Sequence, residues 1–265
     1  MRPESRERSL DDPPRQNCGP WSSWGTAFLD LFFPPLCPVC GERLAGARRD
    51  PLCGDCWHSI KRVTPPFCLL CGSQFFAFAP SGAAYRCEEC RRRRPPFAYA
   101  RSVTRYDETV REALHAFKFR RVTALAEPLG DLMAHIGRSQ VPLEEIGLLI
   151  PVPLHPSRQA ERGFNQSELL ARRVGMIWKV PVESRALRRV SLTRPQTELG
   201  RVERRRNVRD AFALTRPDLI AGRHVLLVDD IYTTGATVAE AARVLRRGGA
   251  EKVGVLTAAR AQGAS

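Results

Sequence analysis

The stretch Val225-Leu-Leu-Val-Asp229-Asp230-Ile-Tyr-Thr233-Thr234-Gly235-Ala236-Thr237 decides the reading of this chain. Four consecutive apolar residues leave no polar face, as in a strand covered on both sides of a parallel sheet. Two adjacent carboxylates follow, then a short Thr/Gly loop opening a helix marked by Val238, Ala241, Ala242 and Leu245. Open parallel sheets bind their ligands at that edge. Loop N–H groups, a helix N-terminus and threonine hydroxyls together make a cradle for a phosphate monoester. Asp229 and Asp230 are acceptors of the kind that pair with vicinal ribose hydroxyls, and without a ligand two such acids at a buried strand end would repel each other.

Outward from this stretch, strands and helices alternate. A strand is expected around Tyr99–Tyr106, a helix carrying Val110, Ala113, Leu114 and Phe117, and a second carrying Leu125, Leu129, Leu132 and Met133. Ile146–Val152 reads as a buried strand, Gln166–Trp178 as a helix and Lys252–Thr257 as a closing strand after Gly248 and Gly249. This rhythm predicts an α/β fold, a mostly parallel sheet flanked by helices. Residues 184–209 break it: nine arginines, two glutamates and few large apolar groups predict a mobile excursion outside the core.

The first hundred residues are of another kind. Residues 1–21 mix charges without an apolar run and read as a disordered tail that is neither signal peptide nor membrane span. Residues 22–33 read as a short amphipathic helix stopped by Pro34 and Pro35, and Arg91–Pro96 as a basic linker. The organisation expected is therefore a tail (1–21), a helix, cysteine module and linker (22–96), and an α/β domain (97–265). Eight of the nine cysteines form four C-x-x-C pairs: Cys37/Cys40, Cys53/Cys56, Cys68/Cys71 and Cys87/Cys90. Four thiolates close a tetrahedron around zinc at about 2.3 Å, so two structural zinc ions are expected, and a reducing, cytoplasmic setting with them. Sequential pairing, the first two pairs at one ion and the last two at the other, is preferred over crossed pairing. Gly41 and Gly72 follow their pairs where knuckle turns need positive φ. Cys18 reads as a free thiol and His58 as an exposed bystander.

The formal charge is +14, and residues 101–265 carry 28 basic against 18 acidic groups. A field of that sign favours polyanions: phosphate esters or nucleic acid.

The Val225–Thr237 stretch resembles the signature of type I phosphoribosyltransferases. Chain-wide, the chain resembles the ComF family of competence-associated proteins, on Tyr106 with Phe117-Lys118-Phe119, on Pro151-Val-Pro-Leu-His-Pro156 leading into Arg162-Gly-Phe-Asn-Gln166, on Gln196 with Arg204, Asn207 and Ala211-Phe212, and on the double zinc ribbon. The resemblance implies that Asp229 and Asp230 hold the ribose 2′ and 3′ hydroxyls of phosphoribosyl diphosphate and that Thr233, Thr234, Gly235, Ala236 and Thr237 wrap its 5-phosphate. The loop after Ile146–Val152 should then meet the diphosphate through Arg158 and Arg162, since guanidinium forks suit it. Mg²⁺ is expected to arrive with the ligand. Arg204 is expected to contact phosphate from a hood at residues 190–207, with Gln196 and Asn207 fixing the closed form. His155 reads as a loop residue. The activity expected is transfer or exchange of a phosphoribosyl group in a competence context. The alternative is a non-catalytic protein that senses a phosphorylated ligand or binds single-stranded DNA through Arg91–Arg94 and the arginines of 184–209, among competence-machinery partners.

Overall fold

The computed structural model describes residues 35–44, 51–75, 85–191 and 208–261. Cys18, the helix expected at 22–33, Gln196, Arg204 and Asn207 lie outside them.

Four parallel strands form the main sheet, in the order β1 (Tyr99–Arg105), β6 (Lys252–Arg260), β5 (His224–Tyr232), β2 (Leu148–Pro151). The apolar run of β5 is explained by its two covered faces. Leu226 and Val228 join a core with Leu114, Phe117, Met133, Leu170 and Val174, which come from helices α3 (Glu108–Phe119), α4 (Ala126–Arg138) and α6 (Gln166–Trp178). Val225 and Leu227 pack on the other side with Val238, Ala241 and Leu245 of α7 (Ala236–Arg247). Side-chain caps start the helices where local chemistry dictates: Asp107 accepts from Val110 N at 3.1 Å, and Asn165 from Ser167 N at 3.0 Å.

The cysteine region covers the β1 edge. Val63 N donates to Val103 O, Arg105 N to Lys61 O and Ala100 N to Leu70 O, so backbone groups that an edge strand would leave open are paired. Gly72 makes that approach possible, because a Cβ there would lie 2.5 Å from Ala100 O. Within this region lie two short helices, α1 (Gly54–His58) and α2 (Glu88–Arg92).

Three expectations change. The buried strand at 146–152 is only Leu148–Pro151, preceded by a 3-10 turn at Leu143–Glu145. By contrast β5 runs past its apolar run to Tyr232, because β6 keeps pairing with it (Asp229 opposite Thr257, Tyr232 opposite Arg260) after β2 has stopped at Pro151 opposite Val228. The two acids thus lie inside a strand, at the point where its β2 neighbour has ended. Finally, part of the arginine-rich excursion is ordered core: Leu187–Arg189 forms β3, antiparallel to β4 (Phe212–Leu214), with Ala186 and Leu187 buried.

Candidate functional site

The end of β2 leaves a gap beside Asp229 and Asp230, and the chain that follows β2 fills it. The Pro151–Gln166 segment, expected as a loop, contains α5 (Pro156–Arg162). Pro156 at its first turn and Gly163 at φ +86 after its end are the residues that start and stop a short helix. His155 is its N-cap, its Nδ1 3.3 Å from Ser157 N. Arg158 and Arg162, four apart, therefore share a helix face.

Asp229 and Asp230 are 9% and 4% exposed. Asp229 Oδ1 accepts Ser167 Oγ at 2.8 Å and Asp230 N at 3.0 Å. Asp230 Oδ2 is ion-paired with Lys118 Nζ at 2.5 Å. Burial and then the neighbouring Asp230 charge push the Asp229 carboxyl up to about 7, while the Ser167 bond and Lys118 oppose the rise. Holding both acids charged therefore calls for cations, and the site provides them. Arg162 stacks over the Phe119 ring at 5.3 Å and donates to Gln166 Oε1 at 2.5 Å; burial lowers its pKa and the Asp230 charge acts the other way. Arg189, 7% exposed on β3, is lowered by burial and by repulsion from Arg158, and supported by the charge of Asp229.

On the far side of the acids, the Thr233–Thr237 loop turns at Gly235, φ +74, where a Cβ would lie 2.2 Å from the Tyr232 hydroxyl. Only glycine fits that turn without moving the tyrosine. α7 begins at the next residue, so its first-turn N–H groups, which have no carbonyl one turn back within the helix, face the loop, with Ala236 N donating to Thr234 Oγ1 at 3.4 Å. The site thus runs from an anion cradle, through two carboxylates, to a cluster of cationic side chains. Asp229, Asp230, Arg158, Arg162 and the threonine loop lie on neighbouring elements; Arg204 falls outside the described residues. Lys118 and Arg189 were not expected here. Lys118 was visible only as the middle of Phe117-Lys118-Phe119, and Arg189 only as one arginine among nine.

The eight C-x-x-C cysteines gather into two sets, Cys37/Cys40/Cys53/Cys56 and Cys68/Cys71/Cys87/Cys90, with all Sγ atoms of a set within 4.8 Å of one another. Cys40 and Cys53 Sγ are 3.5 Å apart, Cys71 and Cys87 Sγ 3.6 Å, close to the roughly 3.8 Å that four thiolates at 2.3 Å from one zinc require. Cys53 N and Cys87 N point at Cys37 and Cys68 Sγ at 3.5 and 3.3 Å, and Gly41 and Gly72 have φ +78 and +72. The donor sets fit two structural zinc ions, paired sequentially. His58 Nδ1 lies 2.7 Å from Gly54 O and joins neither set.

Residues 28–92 match the double zinc ribbon domain, and residues 168–264 the phosphoribosyl transferase domain. The chain is 31% identical over 234 residues to competence protein F of Haemophilus influenzae, covering 87% of this chain and 99% of that protein. The chain belongs to the ComF family. Competence protein ComFC of Bacillus subtilis is 30% identical over 216 residues, 78% of this chain and 83% of that protein. DNA utilization protein YhgH of Escherichia coli strain K12 is 32% identical over 229 residues, 85% of this chain and 96% of that protein. This ComF-family chain has, among its described residues, no helix long and apolar enough to cross a membrane.

Proposed function

We propose that this chain binds a phosphoribosyl diphosphate-type ligand and transfers or exchanges its phosphoribosyl group, in the setting of competence and DNA utilization that the names of its relatives give. The observation that carries the reading is the buried Asp229–Asp230 pair between the Thr233–Thr237 cradle and the cationic cluster. In this reading Asp229 and Asp230 accept from the ribose 2′ and 3′ hydroxyls, and the loop N–H groups and threonines hold the 5-phosphate. Arg158 and Arg162, on one face of α5, take the diphosphate as guanidinium forks. Arg189 adds charge from β3, and Lys118 holds Asp230 in place through its ion pair.

In the transfer, the bond between ribose C1 and the diphosphate oxygen breaks and pyrophosphate leaves with the electron pair. An acceptor nitrogen forms the new bond to C1 and gives its proton to solvent. Mg²⁺, carried in on ligand oxygens, supplies neutralisation of the diphosphate charge. The chain's own contribution is positioning and preorganised charge. Amide hydrogen exchange tests the placement: saturating phosphoribosyl diphosphate with Mg²⁺ should protect residues 233–237. Unchanged exchange there at saturation overturns it.

A further inference from the structure

A second feature adjoins this site and shares only the Thr233–Ala236 end of the loop with it. A groove of about 1130 Å³ begins at Thr233 and Thr234 of the phosphate loop and runs along one side of α7. Its α7 wall is the stripe Ala236, Glu240, Arg243 and Arg247, spaced three to four residues apart on a single helix face. At 1.5 Å per residue Arg243 lies about 10 Å, and Arg247 about 16 Å, from the loop along the helix axis. The opposite wall is the second zinc ribbon and the linker carrying Arg93, and Arg209 comes from the return of the excursion.

Seven arginines and four acidic residues line this groove. Two of the acids pair with arginines of the groove: Glu240 is buried, ion-paired with Arg243, and accepts from Asp210 N at 3.2 Å, and the Asp210 carboxylate lies 3.9 Å from Arg209. Burial and then the charges of Arg247, Arg93 and Arg209 lower the pKa of Arg243, and the charge of Asp210 acts against them. Arginine in the last turn of a helix is ordinary, because it meets the negative end of the dipole. Arginines converging from α7, the linker and the excursion are not explained that way; Arg243 and Arg209 pair with Glu240 and Asp210, and the surplus of arginine over acid leaves a positive field that favours an anion. The volume lies close to the upper end of the roughly 300–1000 Å³ of small-molecule sites, and the length of the arginine stripe leaves room for an extended anion. At about 3.4 Å of axial rise per nucleotide, 16 Å corresponds to about five stacked nucleotides of a single strand.

We propose that the groove and the ribose–phosphate cradle form one continuous site for the 3′-terminal segment of a single nucleic-acid strand. The order of groups sets the polarity, and this step rests on the ribose reading of Asp229 and Asp230. A sugar with its free hydroxyls on the acids and its 5′-phosphate in the loop leaves through that phosphate into the groove, so it is the last nucleotide of the chain. Upstream phosphates then pass Arg243, Arg209, Arg93 and Arg247. Free phosphoribosyl diphosphate and the strand end compete for one cradle.

The test is fluorescence anisotropy of the full chain with a 5′-labelled single-stranded hexamer, ending in ribose or in 2′-deoxyribose, with a 3′-hydroxyl or a 3′-phosphate. The 3′-hydroxyl strand should be displaced by phosphoribosyl diphosphate, and the 3′-phosphate should weaken it at least about tenfold, since a phosphate beside Asp229 and Asp230 is repelled. The ribose and deoxyribose arms tell an RNA end from a DNA end. Arg93→Glu with Arg247→Glu, both exposed positions, should reduce strand affinity at least about tenfold and lower the slope of log K against log salt by about 1.4. Its affinity for phosphoribosyl diphosphate should stay within about threefold of wild type, as these positions lie outside the cradle. Strand binding unchanged in this variant overturns the groove. Equal binding of the two 3′ ends overturns the shared cradle. No binding of phosphoribosyl diphosphate to wild type, with the arginine dependence of the strand intact, overturns the ribose reading and the end assignment together.

Discussion

Replacing Lys118 by Met removes the cation that touches Asp230 and leaves the shape of the chain near the site almost unchanged. The Lys118 and Asp230 side chains are 17% and 6% exposed, and their charged atoms are 2.5 Å apart. At an effective dielectric of about 20 their attraction is about 7 kcal/mol, an upper bound because both ions lose water on burial. Breaking such a pair by removing one partner costs about 3–5 kcal/mol, as the remaining charge is stranded. Taking the lower figure, the melting temperature should fall by about 6–12 °C. The loss should depend on pH with a definite sign. Asp229 is already pushed up to about 7, and losing Lys118 pushes it further, since that cation opposes the shift. A carboxyl whose folded pKa lies above its unfolded one costs stability as pH rises from about 4 through the folded pKa, and nothing below. The deficit of Lys118→Met should therefore be largest at pH 8 and at most about half as large at pH 5.5. Thermal melts at the two values measure it, and adding Asp230→Asn should recover most of the loss. If Lys118→Met melts with wild type at pH 8, or the gap is equal at both pH values, the electrostatic account of the acid pair is wrong.

Arg162→Ala should weaken phosphoribosyl diphosphate by at least about tenfold, the size of a lost charge-assisted bond, and ribose 5-phosphate far less; calorimetry with both ligands measures the difference, and equal loss moves Arg162 away from the diphosphate. Gly235→Ala places a methyl on the Tyr232 hydroxyl at a left-handed position, so about 1–3 kcal/mol of stability should be lost together with 5-phosphate affinity. Adding Tyr232→Phe should recover part of that loss in chemical denaturation, and no recovery would show that the clash is not the cause. Elemental analysis should find two zinc ions per chain and one in Cys87→Ser, because each four-cysteine set is closed on itself; loss of both ions from that variant would contradict independent sites.

Much of the fold was legible because it rests on local pattern. Val225–Val228 has no polar face and sits in the sheet centre, and the apolar spacing within Gln166–Trp178 marked that helix to its observed ends. The C-x-x-C pairs were legible for the same reason, with both ligands of a pair on one turn. What was missed depends on partners distant in sequence. The extension of β5 through Asp229 and Asp230 is set by β6 outlasting β2, which no window around Asp229 contains. α5 has seven residues, too few to show a period, and its signals are the Pro156 start and the Gly163 stop. Arg189 looked like surface charge because its neighbours in sequence are arginines, yet β3 pairs with β4 and buries it beside Asp229. The arginine groove is assembled from five separate segments, the linker, β1, the excursion, α7 and β6, of which only the linker and the excursion were conspicuous as charge runs.

Whether Asp229 and Asp230 hold ribose hydroxyls is decided by isothermal calorimetry of the Asp229→Asn, Asp230→Asn double variant. The substitutions keep size and remove two charges. Each charge-assisted hydrogen bond contributes about 1.5–3 kcal/mol, so phosphoribosyl diphosphate should bind at least about tenfold more weakly than to wild type. Removing negative charge beside a diphosphate also favours anions in general, and a 2′,3′-dideoxy ligand isolates that effect because it lacks the hydroxyls. The natural sugar should lose affinity, the dideoxy ligand should lose none, and two zinc ions should be retained. Equal binding of phosphoribosyl diphosphate by wild type and variant, or no binding by wild type, would contradict that role of the two acids.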